Sequence, residues 1–224
     1  MHRLFAGSLM LSVSLLLVLS QACNRGQGSS STSQGQEEPT FNDAQSAANQ
    51  SLATFRKLVN AQNFKELGFE SADEVANAAL GTPLRTSIVK LEQLKAYKSG
   101  DDVNRLISEL PQVYYPVTVQ NQVRSTVTVE QANGKWRATG FGPGNLAKQI
   151  DRVSKAGAAS GPQILVHVAA FNLYFVGTRV ENRLMLTPVG DYASYNLKAG
   201  ASLPAEAVFT ALVPFAQQYN GLPL

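Results

Sequence analysis

The chain has 224 residues, a formal net charge of +3, 16% charged residues, one cysteine and two histidines. The charge is slight, and no block of Lys and Arg interleaved with aromatics occurs, which argues against nucleic-acid binding. One cysteine and two histidines are too few for a zinc site of the usual type or for an internal disulfide.

Met1–Phe5 holds one fixed positive charge, Arg3, and Ala6–Ser20 is uncharged and rich in Leu, Val, Met and Ser. That is the order of a secretory signal, and the apolar run falls short of the roughly 20 residues of a bilayer span. Leu19-Ser20-Gln21-Ala22-Cys23 follows. A small residue directly before a cysteine, after a leucine-rich run, resembles the signal of bacterial lipoproteins, with the leucine one position further back than is usual there. The resemblance covers residues 1–23. It implies that residues 1–22 are a signal peptide that is removed. It also implies that Cys23 carries diacylglycerol and a further acyl chain such as palmitate, and that the membrane is a partner through this anchor. The domain then lies outside the cytoplasm, in the cell envelope. Asn24 rather than Asp after the anchor implies the periplasmic side of the outer membrane, in a cell that has one. A physical argument points the same way: a lone thiol in an oxidising compartment is a liability unless it is used.

Residues 23–39 are the anchor cysteine and a Gly, Ser, Gln and Thr stretch without a large apolar residue. Such a segment cannot offset its ordering entropy by burial and is expected to be a disordered tether. Residues 40–224 suit one domain. A helix is expected from Thr40, with Ala44, Ala48, Leu52, Phe55 and Val59 on its inner face. Ser71 and Glu74 form a capping box that predicts a second helix, ended by Gly81 and Pro83. Leu84 to Leu91 reads as a strand, and Asp101 to Leu110 as a short helix closed by Pro111.

Val113 to Phe141 predicts a three-stranded meander. Asn133-Gly134 marks a two-residue hairpin loop, which sets Glu130 against Arg137, Gln131 against Trp136 and Val129 against Ala138. The earlier turn is expected as a three-residue loop, Gln120 to Gln122, pairing Val119 with Val123. A helix follows over Pro143 to Ala156, with Leu146, Ile150 and Val153 inward. Strands are expected at Ile164–Ala170, Asn172–Val180 and Arg183–Thr187, with Glu181-Asn182 as a turn. Ser202 to Tyr219 reads as a closing helix, kinked or broken at Pro214. The fold class is therefore α+β: an antiparallel meander in a mixed sheet, packed by N-terminal, central and C-terminal helices.

The search for chemistry yields few candidates. His167 shares a strand face with Leu165 and Ala169. It is the one histidine beyond the leader, and no local motif gives it a nucleophile or orienting acid. Asp151, Glu181 and Asp191 are distant acids that a fold would have to bring to it. Gly142, Gly144 and Asn145 lie in a glycine-rich strand-to-helix turn whose N–H groups suit an anion, although neither the dinucleotide nor the P-loop spacing is present. Tyr114, Tyr115, Tyr174, Tyr192 and Tyr195 are read as surface aromatics, some of which could line a groove, with packing at the core or its rim the favoured role. No metal or cofactor is expected. These features describe a non-catalytic envelope binding module for another envelope protein or a small ligand. The alternatives are a periplasmic hydrolase using His167 and a carrier of an apolar ligand, which needs a cavity of about 300 Å³.

Overall fold

The structure, a computed structural model, describes residues 41–157, 161–219 and 221. The signal peptide, Cys23 and the tether lie outside the described residues. Helix α1 (Phe41–Leu58) is followed by strands β1 (Ala79–Leu80) and β2 (Leu84–Val89) and helix α2 (Leu91–Ala96). The meander β3 (Ile107–Val119), β4 (Gln122–Ala132) and β5 (Lys135–Gly142) leads into α3 (Gly144–Gly157). Strands β6 (Gln163–Val168), β7 (Leu173–Val180), β8 (Arg183–Pro188) and β9 (Leu203–Pro204) precede α4 (Ala205–Gln218).

These strands form one nine-stranded mixed sheet in the order β5-β4-β3-β2-β6-β7-β8-β9, with β1 paired to β3. The β2–β6 pair is parallel and all the others are antiparallel. The fold class is the expected single α+β domain. No helix among the described residues is long and apolar enough to cross a membrane.

Alternation along the strands gives the sheet two different faces. On one, Val113, Tyr115, Val117, Val127 and Val129 pack against Ala44, Ala48, Leu52 and Phe55 of α1. The same face continues as Val166, Val168, Phe175 and Leu186 beneath Val208, Phe209 and Leu212 of α4. The other face carries Leu84, Tyr114, Leu165 and Val176 and is covered by Ile150 and Val153 of α3. α3 thus stands alone over its face, spanning from β4 to β7.

The Asn-Gly hairpin has the expected register at all three pairs, with Asn133 at φ 53° and Gly134 at φ 74°. Glu181 and Asn182 form the second such turn. Elsewhere tertiary pairing overrides local signals. The helix expected at Ser71–Leu80 is only a 3-10 turn, Asp73–Asn77, because Ala79 and Leu80 pair with Thr118 and Val117. The strand expected to reach Leu91 ends at Val89, and α2 begins at Leu91. Asp101–Leu110 forms a 3-10 turn at Val103–Arg105, after which Ile107 joins β3. Pro111 lies within that strand, at the irregularity where Arg85 faces Val113 and Ser87 faces Glu109, a place where a missing N–H is tolerated. α4 starts at Ala205 rather than Ser202 and runs through Pro214 unbroken. Tyr114 and Tyr115 are buried, not at the surface.

The β3–β4 turn is also tighter than expected. Gln120 and Asn121 form a two-residue loop with φ 49° and 64°, and Val119 faces Gln122. The register is recovered one step later, where Thr118 faces Val123 and Val117 faces Ser125, leaving Arg124 as the extra residue. Its guanidinium is 10% exposed and reaches both Glu70 (2.8 Å) and Glu74 (2.7 Å). Glu74 also accepts a hydrogen bond from the Glu70 N–H at 2.7 Å. Burial pushes the Glu74 carboxyl up, but the Glu70 amide and the Arg124 guanidinium outweigh it and hold it below the usual carboxylate range. Arg124 also anchors through its backbone. A side chain on Gly68 (φ +92°) or on Gly144 would run into the Arg124 carbonyl, and one on Gly144 would lie 2.6 Å from Gly68 Cα. Three chain segments therefore meet backbone to backbone at the first turn of α3.

Removing one partner of a largely buried ion pair strands the other charge. Arg124→Met is expected to lower the unfolding free energy by about 3–5 kcal/mol in urea titrations at pH 7. Arg124→Met combined with Glu74→Met is expected to recover most of that loss. A double variant as unstable as the single one would show that the pair is not the source.

Candidate functional site

Beneath the first half of α3 lies a cavity of about 210 Å³. Its roof is Pro143, Leu146, Ala147 and Ile150; its floor comes from β2, β3, β4, β6 and β7. The roof stands off the sheet here because the helix begins at the Gly68–Gly144 contact and presents the small Ala147 to the floor. Strand parity decides which side chains form that floor. Thr86 and Leu165 face one another, as do His167 and Tyr174, on the α3 side of the sheet. Gln112 and Tyr114 of β3 and Thr126 and Thr128 of β4 join them.

The floor is polar for a covered surface. The Thr86 hydroxyl donates to the Gln112 carbonyl at 2.7 Å, so its proton is engaged. The imidazole of His167 stacks on the Tyr174 ring, with centroids 4.2 Å apart and planes within 4°. Tyr174 is fixed by Tyr192, whose hydroxyl accepts from the Tyr174 N–H at 2.9 Å and donates to its carbonyl at 3.2 Å. The Asn172 side chain hydrogen-bonds the imidazole from the left-handed residue (φ 51°) that joins β6 to β7.

Two wall atoms have no protein partner. Tyr114 is 6% exposed and its Oη is unpaired; Nε2 of His167 is buried and unpaired. Burial, and then the charge of Asp151, pushes the Tyr114 phenol well above its ordinary range. It stays a neutral O–H. Burial lowers the His167 imidazole below its ordinary 6.5, outweighing the Asn172 hydrogen bond. It is neutral at pH 7. Among the described residues, Gln93, Tyr97, Tyr115, Trp136, Ser154 and Glu206 also carry a buried atom without a hydrogen-bond partner, so such atoms are not confined to this pocket. Tyr114 and His167 share the wall of one cavity.

The three acids weighed as partners of His167 stand elsewhere. Asp151 pairs with Lys155 at 2.7 Å and lines a separate open hollow of about 420 Å³ with Leu80, Ser154 and Gln163. Glu181 sits in the β7–β8 turn, and Asp191 accepts from the Ala199 N–H. Among the described residues, no carboxylate lines the 210 Å³ pocket. The three acids therefore do not orient this imidazole.

The glycine-rich turn is divided. Gly142 lines the cavity, and a side chain there would collide with Thr126 Oγ1. Gly144 and Asn145 face an outer hollow shared with Lys65, Lys148, Glu66 and Glu70, whose mixed charge does not select an anion. Among the described residues, no cluster of three or more His, Cys, Asp or Glu could hold a metal. Gln112, Tyr114, Thr86 and Thr128 were not singled out as a set by the sequence. Their common signal is strand parity, but the face that meets α3 is not written locally.

Tyr114→Phe removes a buried hydroxyl that has no protein partner. It is expected to leave the unfolding free energy unchanged or raise it by about 0–2 kcal/mol, read as a shift of the urea midpoint. A loss of more than that would mean the hydroxyl is satisfied within the fold. His167 gives a pH test. Its folded pKa lies below the unfolded value, so the unfolded chain binds the proton more readily. Stability is then complete above pH 6.5 and falls as pH is lowered from there towards the folded pKa. In His167→Phe this part of the pH dependence is expected to vanish, measured by urea titrations between pH 5 and pH 8.

No family model, no curated protein and no solved structure matches this chain.

Proposed function

We propose that this chain is a lipid-anchored protein of the bacterial cell envelope, held by Cys23, whose α+β domain is a non-catalytic binding module. The leader supports the anchor: one positive charge, an uncharged apolar run, then Ala22-Cys23. Two acyl chains hold a protein on a bilayer where one does so only marginally. The tether of residues 24–39 then gives the domain a mean reach of about 20–25 Å above the lipid. In a cell with two membranes, Asn24 favours the periplasmic face of the outer one.

One observation carries the binding role: a pocket of about 210 Å³ between α3 and the sheet, lined by Tyr114, His167 and Tyr174. Large apolar cargo fits this pocket less well than the hollow beside Asp151. At about 210 Å³ the pocket is below the ~300 Å³ of ordinary ligand pockets, whereas the hollow of about 420 Å³ lined by Leu80, Leu84 and Ile150 exceeds it. The hydrolase reading keeps one supporting fact, that His167 lies in a cavity, and lacks a carboxylate beside it. A hydrolytic activity abolished by His167→Ala and retained in Cys23→Ser would replace the binding reading.

Metabolic labelling with palmitate tests the anchor. The wild-type chain is expected to take up label and stay with membranes through a high-salt wash. Cys23→Ser is expected to lose the label and leave the membrane fraction. An unlabelled wild-type protein that washes off in salt would sink the anchored reading.

A further inference from the structure

The second half of α3 borders a different hollow, of about 420 Å³. It lies where the sheet narrows. Among the described residues β1 pairs with β3 alone, β2 begins at Leu84, and β6 joins β2 from Ile164 onwards. Gly81, Thr82 and Pro83 bridge the step from β1 to β2. The Gly81 N–H donates to the Pro116 carbonyl at 2.7 Å, and a side chain on Gly81 would lie 3.3 Å from both Pro116 and Thr118. The link therefore lies close on β3 and leaves open the space between itself and α3.

The walls of this hollow combine apolar surface with one accessible acid. Leu80, Leu84, Val123 and Ile150 line it, and the last three are buried. Among the described residues two charged groups line it, Asp151 and Lys155 of α3. They pair at 2.7 Å through Oδ2 of Asp151, but they are not equivalent: the Asp151 side chain is 23% exposed and the Lys155 side chain 62%. The ammonium stands in water at the end of a flexible stem, and a pair with so solvated a partner adds little stability. The carboxylate stays beside the apolar wall. An incoming cation can replace Lys155 there, whereas an incoming anion meets Asp151 and has to draw Lys155 away from it.

We propose that this hollow binds a small molecule with an apolar body and one ammonium group, the body lying on Leu80, Leu84 and Ile150 and the ammonium on Asp151. The space exceeds the ~300 Å³ of ordinary ligand pockets. Apolar surface removed from water supplies the affinity, and the carboxylate selects the sign of the charge. The site goes beyond the binding role of the pocket that holds His167. Among the described residues, Ile150 is the wall the two have in common.

The test is a titration of the full chain at pH 7 with 2-phenylethylammonium, 2-phenylethanol, 3-phenylpropionate and ethylammonium. The readout is the backbone amide resonances of Leu80, Asn121 and Ser154, which line the hollow, with those of Thr86 and Thr128 reporting on the other pocket. 2-Phenylethylammonium is expected to shift the first set saturably and to bind about tenfold tighter than 2-phenylethanol, with the other two weaker still. In Asp151→Asn its affinity is expected to fall to that of 2-phenylethanol, whose own binding stays the same and shows the hollow intact. In Lys155→Gln, which removes the competing cation, it is expected to bind about two- to fivefold tighter. 2-Phenylethanol or 3-phenylpropionate binding as tightly as 2-phenylethylammonium would overturn the selection of charge. Ethylammonium doing so would overturn the apolar body. Undiminished binding in Asp151→Asn, or weaker binding in Lys155→Gln, would remove Asp151 as the partner. Shifts confined to Thr86 and Thr128 would end this proposal and leave the binding role of the His167 pocket standing.

Discussion

The placement of α3 depends on one largely buried cation. Arg124 is the extra residue of β4, left over when the tight Gln120-Asn121 turn and the β3–β4 register are reconciled. Its side chain gathers Glu70 and Glu74, and its carbonyl lies where a side chain on Gly68 or Gly144 would have to go. A buried ion pair contributes little net stability against an apolar replacement of the same shape. Its effect is to specify position. The segment before β1, the bulge in β4 and the start of α3 come together at one point, and α3 leaves that point across the sheet. The exposed Glu70 adds little, since pairs with a solvated partner contribute about 0–1 kcal/mol.

From that start the cavity follows. On the α1 and α4 side, two helices with broad apolar faces leave the sheet well filled by Phe55, Phe175 and Phe209, all fully buried. On the other side, α3 alone must cover strands from β4 to β7. Where it presents Val153, the layers close around Leu165 and Val176. Where it presents Ala147 and Leu146, the side chains are too few to meet a floor of threonines and Gln112. The polar floor and the gap therefore have one origin: a strand face that alternates out of register with the apolar needs of the helix above it.

Much of this order was legible residue by residue, and the failures share one cause. Asn133-Gly134 dictated its hairpin because two positive φ values in succession fix the strand register. The stripes Ala44-Ala48-Leu52-Phe55 and Leu146-Ile150-Val153 made helices because nothing competes for those residues. By contrast, Ser71 and Glu74 look like a capping box, yet the Glu74 carboxylate is taken by Arg124, fifty positions away in sequence. Ala79 and Leu80 leave the helical pattern for hydrogen bonds to β3, and Ile107 to Leu110 do the same for β2. Pairing over long separations outweighs local propensity wherever a sheet edge is open. The adjacent Tyr114 and Tyr115 show the same limit at the site. Alternation says that one faces each side of the sheet; which of them meets α3 depends on where the helix crosses. His167 could be placed on a face with Leu165 from the sequence, but its cavity could not.

The energetics give the cavity its meaning. Two unpaired buried polar groups at about 1–3 kcal/mol each are a large fraction of the 5–15 kcal/mol that separates folded from unfolded domains. A phenylalanine at position 114 would fit the same core without that penalty, and an aliphatic side chain could serve beneath Tyr174. Sequences tolerate such local inconsistency mainly where something other than folding is at stake. The unpaired phenol and the unpaired imidazole would be independent defects if they lay in separate parts of the interior. Both residues line one pocket under α3, but the two atoms themselves are closed to a molecule the size of water, so meeting them takes a shift of the side chains around them.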